Sequence, residues 1–190
     1  DPTGALSRAL GVYIEDMEIT RLVKRAKRKD ADAFTELMES QMQNMYKVAR
    51  SILSRDEDVA DAISDTILVC WEKIDTLKKN RFFRTWMTRI LINKCNDILR
   101  AGQRTVFTDE PLEIEYMENE FLNLEWKEML QSLDEKYRIV LLLYYGEGFS
   151  IKEIAQILEL TESAIKSRLS RGREQVKQEY NAGGICHEKS

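Results

Sequence analysis

Proline occupies only two of the 190 positions, Pro2 and Pro111, and glycine only eight. Proline is the residue a helix interior cannot absorb, because it lacks the N–H donor and its ring clashes with the preceding turn. Between those two positions nothing forbids long helices. Apolar residues recur there at three- and four-residue steps, the spacing of one helix face. From about Ile19 the pattern is helical, and Phe34, Leu37, Met38, Met42, Met45, Ala49, Ile52 and Leu53 share a face. The polar stretch 54–58 breaks the pattern and offers Ser or Asp caps. A second helix is expected over about 59–74, with Ala60, Ile63, Ile67, Cys70, Trp71 and Ile74 on one side. A polar loop over 75–81 separates it from a third helix over about 83–100.

Gly102 and Pro111 bracket an acidic, helix-poor stretch that reads as a linker. Beyond it, Leu122, Trp126, Met129, Leu130 and Leu133 lie on one helix face. Residues 139–145 are apolar nearly all round, so that helix should be central and buried, ended by Gly146 and Gly148. Helices over 150–158 and 161–179 follow, and the tail with Gly183 and Gly184 is expected to fray. Residues 1–16 do not continue into an amphipathic face, and Met17 looks like a natural start. They are expected to be a leader or fused peptide. The fold class is therefore all-α: a bundle over 17–102, a linker over 103–118, a second bundle over 119–181 and a frayed tail over 182–190.

Charged residues make up 33% of the chain and hydrophobic ones 43%, enough for cores. The longest apolar run, 139–145, is far too short to span a bilayer, and no signal peptide is visible. Cys70, Cys95 and Cys186 are an odd number without metal-type spacing, which fits reduced thiols in the cytoplasm. The net charge of −4 conceals blocks. Residues 56–75 carry seven acids against one base, 78–104 carry eight bases against one acid, and 109–135 carry ten acids against one base. One basic block between two acidic ones suggests more than one kind of partner, although a solvated surface is the usual fate of a charge run. No paired acid and base or metal cluster stands out. His187 and Cys186 are neighbours in the tail, which is too few ligands for a metal. Neither catalysis nor a cofactor is expected, and Met38, Met42 and Met45 read as core filler.

The most informative stretch is 150–171. Ser150 and Glu153 make a capping box, Ala155 is small where two helices cross, Leu158 and Leu160 flank a tight turn, and Thr161 can cap the next helix. Ile165 and Leu169 point inward. This is the layout of a helix-turn-helix. Ser163, Lys166, Ser167, Ser170 and Arg171 then face outward, with Arg168 and Arg173 beside them. Such side chains reach base edges and phosphates in a major groove. Taken alone, the stretch also fits a helical hairpin with a solvated basic face, or a stand-alone regulator binding duplex DNA. Glu159 stands at the turn position where Gly is common, and a non-Gly residue at positive φ costs roughly 1 kcal/mol, which is tolerable.

Residues 133–145 with this helix-turn-helix and the run 166–173 resemble region 4 of extracytoplasmic-function sigma factors. Residues 58–71 (Asp-Val-Ala-Asp-Ala-Ile-Ser-Asp-Thr-Ile-Leu-Val-Cys-Trp) and 83–90 (Phe-Arg-Thr-Trp-Met-Thr-Arg-Ile) resemble region 2. Both occur in the right order, with no middle domain between them. The resemblance implies promoter recognition and strand opening with core RNA polymerase. It implies polymerase docking by Asp61, Asp65, Leu68 and Glu72, a stripe at steps of four, three and four. It implies contact with the minus-10 element by Lys78, Lys79, Asn80, Arg81, Phe82, Arg84, Arg89 and Asn93, while Phe83 and Trp86 are expected in the core. The minus-35 element falls to the outward face of 161–179. An anti-sigma factor is an implied partner. Ser64 and Val69 depart from the family, where Gln and Arg are frequent.

Overall fold

The computed structural model describes residues 2–102, 130 and 132–184. No strand occurs among them. The helices are α1 (Pro2–Ala26), α2 (Ala31–Arg50), α3 (Asp56–Lys73), α4 (Phe83–Gly102), α5 (Glu135–Leu141), α6 (Ile151–Leu158) and α7 (Glu162–Gly184). The expected linker and most of the helix foreseen over 122–133 lie outside the described residues.

α1 begins at Pro2, well before the face that starts at Ile19. Tyr13, Ile14 and Met17, in the middle of α1, are exposed. The later turns supply Leu22, Val23 and Ala26 to the core. Lys29, in the left-handed conformation, ends the helix, and Asp30 then caps α2 by accepting from the Ala33 N–H at 3.1 Å.

α2 buries Phe34, Leu37, Met38, Met45, Val48 and Ala49. Met42 does not join them; it is 39% exposed. At 3.6 residues per turn it falls at the edge of the stripe, while Gln41 takes a place inside it and is fully buried. α3 shows the same displacement. Ala60 is exposed, and Val59, Ala62, Ile63, Thr66 and Cys70 form the buried face. Neither Ser nor Asp caps α3: the cap residue is Arg55, without a side-chain bond, and Asp56, Glu57 and Asp58 fill the first turn instead. Three carboxylates there oppose the helix dipole's positive end, which serves the same purpose.

Residues 74–82 contain two short 3-10 turns, Ile74–Thr76 and Asn80–Phe82. α4 then buries Phe83, Met87, Leu91, Ile92 and Cys95 against α2 and α3. In the second half α5 passes into a π turn, Leu142–Gly146, whose widened geometry leaves Tyr145 49% exposed. The expectation of burial holds from Ile139 to Leu143 and fails at Tyr145. α7 packs on α5 and α6, and α6 packs on α4, so the two halves touch. The α5–α7 approach is close at Gly172. A Cβ there would stand 3.0 Å from Leu141 Cδ1 and 3.3 Å from Tyr137 Cβ.

Candidate nucleic-acid interface

The helix-turn-helix is built by local chemistry. Ser150 Oγ accepts from the Glu153 N–H at 3.3 Å, and Glu153 Oε2 accepts from the Ser150 N–H at 2.9 Å, closing the capping box at α6. α6 ends at Glu159, whose φ of 56° and ψ of 41° are left-handed. The Leu160 N–H returns to the Ala155 carbonyl at 3.0 Å, which turns the chain. Thr161 Oγ1 then accepts from the Ala164 N–H at 3.1 Å and starts α7. Ile154, Ile157, Ile165 and Leu169 are buried between the two helices. That packing leaves Ser163, Lys166, Ser167, Ser170 and Arg171 exposed on one side of α7. Arg173 is exposed as well and donates to Tyr145 Oη at 3.2 Å. Arg168 is half-buried and lines a cleft with Asp134 and Glu135, so it sits off the exposed face.

The basic block divides into two parts. Lys78, Lys79 and Arg81 are exposed on the short turns, and Asn80 is half-buried. The Arg81 guanidinium lies 4.8 Å over the ring of Phe82, itself 38% exposed. A cation beside an open aromatic face suits a single-stranded base and its phosphate. Phe83 is fully buried and Trp86 half-buried against it, with ring centroids 6.0 Å apart, as core residues. On α4 itself Asn93 is exposed. Arg84 and Arg89 are engaged. Arg84 is half-buried and donates to the Glu147 carbonyl at 3.1 Å, and Arg89 pairs with Glu159. Neither contact is visible in the sequence, because no local spacing links residues so far apart in the chain.

Glu147 is almost wholly buried, and its Oε1 makes no hydrogen bond. Burial pushes its carboxyl above the usual range. Lys47 and Arg84 pull it back down, and Glu15 pushes it further up. The thiols of Cys70 and Cys95 are buried and pushed up to about 12, which makes them inert packing groups. Among the described residues no three His, Cys, Asp or Glu side chains group as metal ligands, and no helix is long and apolar enough to cross a membrane.

On α3, Asp61, Asp65, Leu68 and Glu72 are exposed together, and Leu68 has 56% of its surface open. Trp71 turns the other way and packs edge-on against Phe34 at 4.9 Å. Asp65 is also within 3.7 Å of Lys94.

Residues 37–105 match the sigma-70 region 2 family, and residues 123–176 match sigma-70 region 4. The chain belongs to the extracytoplasmic-function family of sigma factors. Like other sigma factors it is a transcription initiation factor. It is 26% identical to the extracytoplasmic-function RNA polymerase sigma factor SigW of Bacillus subtilis, over 86% of this chain and 97% of that one. It is 28% identical to the sigma-E factor of Escherichia coli K12, over 82% and 90% of the two chains. Among solved structures the fold resembles CnrH in complex with the cytosolic domain of CnrY. The TM-score is 0.64 at 24% identity, covering 87% of this chain and 98% of that one. It also resembles the sigma factor RpoE in complex with the anti-sigma factor NepR from Bartonella quintana. There the TM-score is 0.63 at 24% identity, over 76% and 94% of the chains.

Proposed function

We propose that this sigma factor divides promoter work among three faces. The acidic stripe Asp61, Asp65, Leu68 and Glu72 docks on a basic coiled coil of core RNA polymerase. The turns and helix that carry Lys78, Lys79, Asn80, Arg81, Phe82, Arg84, Arg89 and Asn93 hold the separated minus-10 strand. Lys166, Ser167, Arg171 and their neighbours on α7 read the minus-35 duplex. Residues 17–102 and 119–181 are the two working units, and 103–118 lets them reach elements that lie apart on DNA. The protein acts in the cytoplasm without catalysing a reaction of its own. An anti-sigma factor of the same cell is a further partner, covering one of the three faces.

The observation that carries this reading is the exposure of an acidic, Leu68-centred stripe on α3 in the same chain as two separate basic faces. A regulator that only binds duplex DNA has no use for that stripe. The deciding experiment is affinity capture of core polymerase followed by transcription from genomic promoter fragments. Retention of polymerase and promoter-dependent transcripts are expected. Tight operator binding by the free chain, with no retention of polymerase, would overturn the proposal.

A further inference from the structure

Three acidic side chains of the second half meet the basic helix of the first. Arg84 Nη2 donates to the Glu147 carbonyl at 3.1 Å and lies 3.6 Å from the Glu147 carboxylate. The same guanidinium stands 5.0 Å over the Phe149 ring. Thr85 Oγ1 donates to Glu153 Oε1 at 3.1 Å. One turn further along α4, Arg89 is ion-paired with Glu159. On the opposing side these acids occupy the turn before α6, the first turn of α6 and the turn after it.

Glu159 is the informative member. Its backbone is left-handed, where glycine is favoured and a glutamate is strained. What glutamate offers there and glycine lacks is a carboxylate, and that carboxylate is spent on Arg89. Glu147 adds to this from inside: Arg84 faces its buried carboxylate at 3.6 Å and offsets part of the cost of burying it.

We propose that the helix-turn-helix half is a built-in cover for the minus-10 face. In the free chain Glu147, Glu153 and Glu159 clasp Arg84, Thr85 and Arg89 and withhold the two arginines from single-stranded DNA. The outward residues of α7 stay exposed throughout. This inference rests on the assignment of α4 to the minus-10 strand. The clasp is made to open. Beside it runs an open cleft lined by Ile92, Ile139 and Leu160 together with Asn96, Asp134 and Arg168, so solvent reaches this part of the seam between the halves. Its outer ion pair is solvated and weakens with salt.

The test uses the full chain carrying Cys186→Ser, with spin labels on cysteines placed at the exposed positions Glu39 and Lys177. Pulsed dipolar spectroscopy reads the distance between the halves, and a fluorescent oligothymidine reports single-strand binding. Glu159→Gly relieves the strained turn while removing its carboxylate, and Thr85→Val removes the hydroxyl donor at similar volume. Melting curves check that the double variant folds, and each single variant is measured beside it. The double variant should show a longer or broader label distance and bind the oligonucleotide about threefold or more tightly. Two freed arginines should steepen its salt dependence, by up to about 1.4 in log–log slope. Both binding gains should vanish when Arg84→Ala and Arg89→Ala are added. Unchanged distance and unchanged binding in the folded double variant would overturn the clasp. A longer distance without tighter binding would uphold the clasp and remove the minus-10 assignment of Arg84 and Arg89.

Discussion

Two glycines in helices should respond with opposite sign to the same change. Gly172 lies inside α7 at its closest approach to α5. An alanine Cβ there meets Leu141 Cδ1 at 3.0 Å, Leu141 Cγ at 3.3 Å and Tyr137 Cβ at 3.3 Å. Leu141 is buried on all sides, and Tyr137 Cβ is fixed to the backbone, so neither yields freely. Overpacking of this kind costs about 1–3 kcal/mol, whereas replacing a helix-interior glycine by alanine gains about 0.5–1 kcal/mol. Gly172→Ala should therefore lose roughly 1 kcal/mol, about a fivefold drop in the folded-to-unfolded ratio. Gly11, inside α1, has nothing within 4 Å of its would-be Cβ. Gly11→Ala should keep only the gain and stabilise by about 0.5–1 kcal/mol. Urea denaturation of both variants beside the parent protein measures this. Because Gly172 sets the seating of α7, minus-35 duplex binding by holoenzyme should fall for Gly172→Ala and stay unchanged for Gly11→Ala. If Gly172→Ala raises the midpoint as much as Gly11→Ala does, α7 does not approach α5 as closely as described.

Charge reversal of Asp61 and Asp65 together should weaken core polymerase binding and leave the melting curve unchanged, since both are exposed. Ser150→Ala removes the capping box and should cost about 1 kcal/mol in a urea titration. Burial raises the Glu147 carboxyl above its ordinary 4.5, so its favourable contribution is full below that value and is lost as pH rises through the higher folded-state value. Glu147→Gln stays neutral, and its stability relative to the parent should improve from pH 4.5 upward in urea midpoints; a constant difference would mean that the carboxylate is not desolvated. Lys166→Ala or Arg171→Ala should lower promoter occupancy about tenfold, as loss of roughly 1–3 kcal/mol per base contact requires. Asn93→Ala should instead impair opening, and a pre-melted bubble should partly relieve it; permanganate footprints on duplex and bubble templates separate the two.

What could be read from the sequence was what neighbouring residues decide. The capping box at Ser150, the cap at Thr161, the strained turn at Glu159 and the inward Ile165 and Leu169 are all set within a few residues of one another, and each was legible. Burial of whole helices was legible as periodicity, but its edges were not. Met42 and Ala60 fit the spacing and still face solvent, while Gln41 is buried, because the neighbouring helices decide where a stripe is centred. The cap of α3 was misread because a dipole can be met by Asp56, Glu57 and Asp58 without any side-chain cap. The contacts of Arg84 and Arg89 were beyond reach. A basic residue carries no sign of whether a phosphate or a distant glutamate will face it.

Those two arginines bear on how a chain of net charge −4 handles DNA. Non-specific binding grows with the number of phosphates a protein can neutralise at once. In the arrangement described, Arg84 and Arg89 face carboxylates, Lys94 lies near Asp65, and Arg173 is turned to Tyr145. Lys166 and Arg171 remain as exposed cations of α7 in the outward set, and Lys78, Lys79 and Arg81 remain on the turns before α4. These are two small clusters on different elements, each weak alone. On the proposed reading, firm binding needs both clusters and the clasped arginines engaged together, at elements separated along the promoter. In that proposal, polymerase would supply the geometry by holding α3 while the second half moves away from α4. If so, charge that is dispersed and partly neutralised within the free protein becomes promoter affinity only in the assembled holoenzyme, and the free chain should bind promoter duplex far more weakly than holoenzyme does.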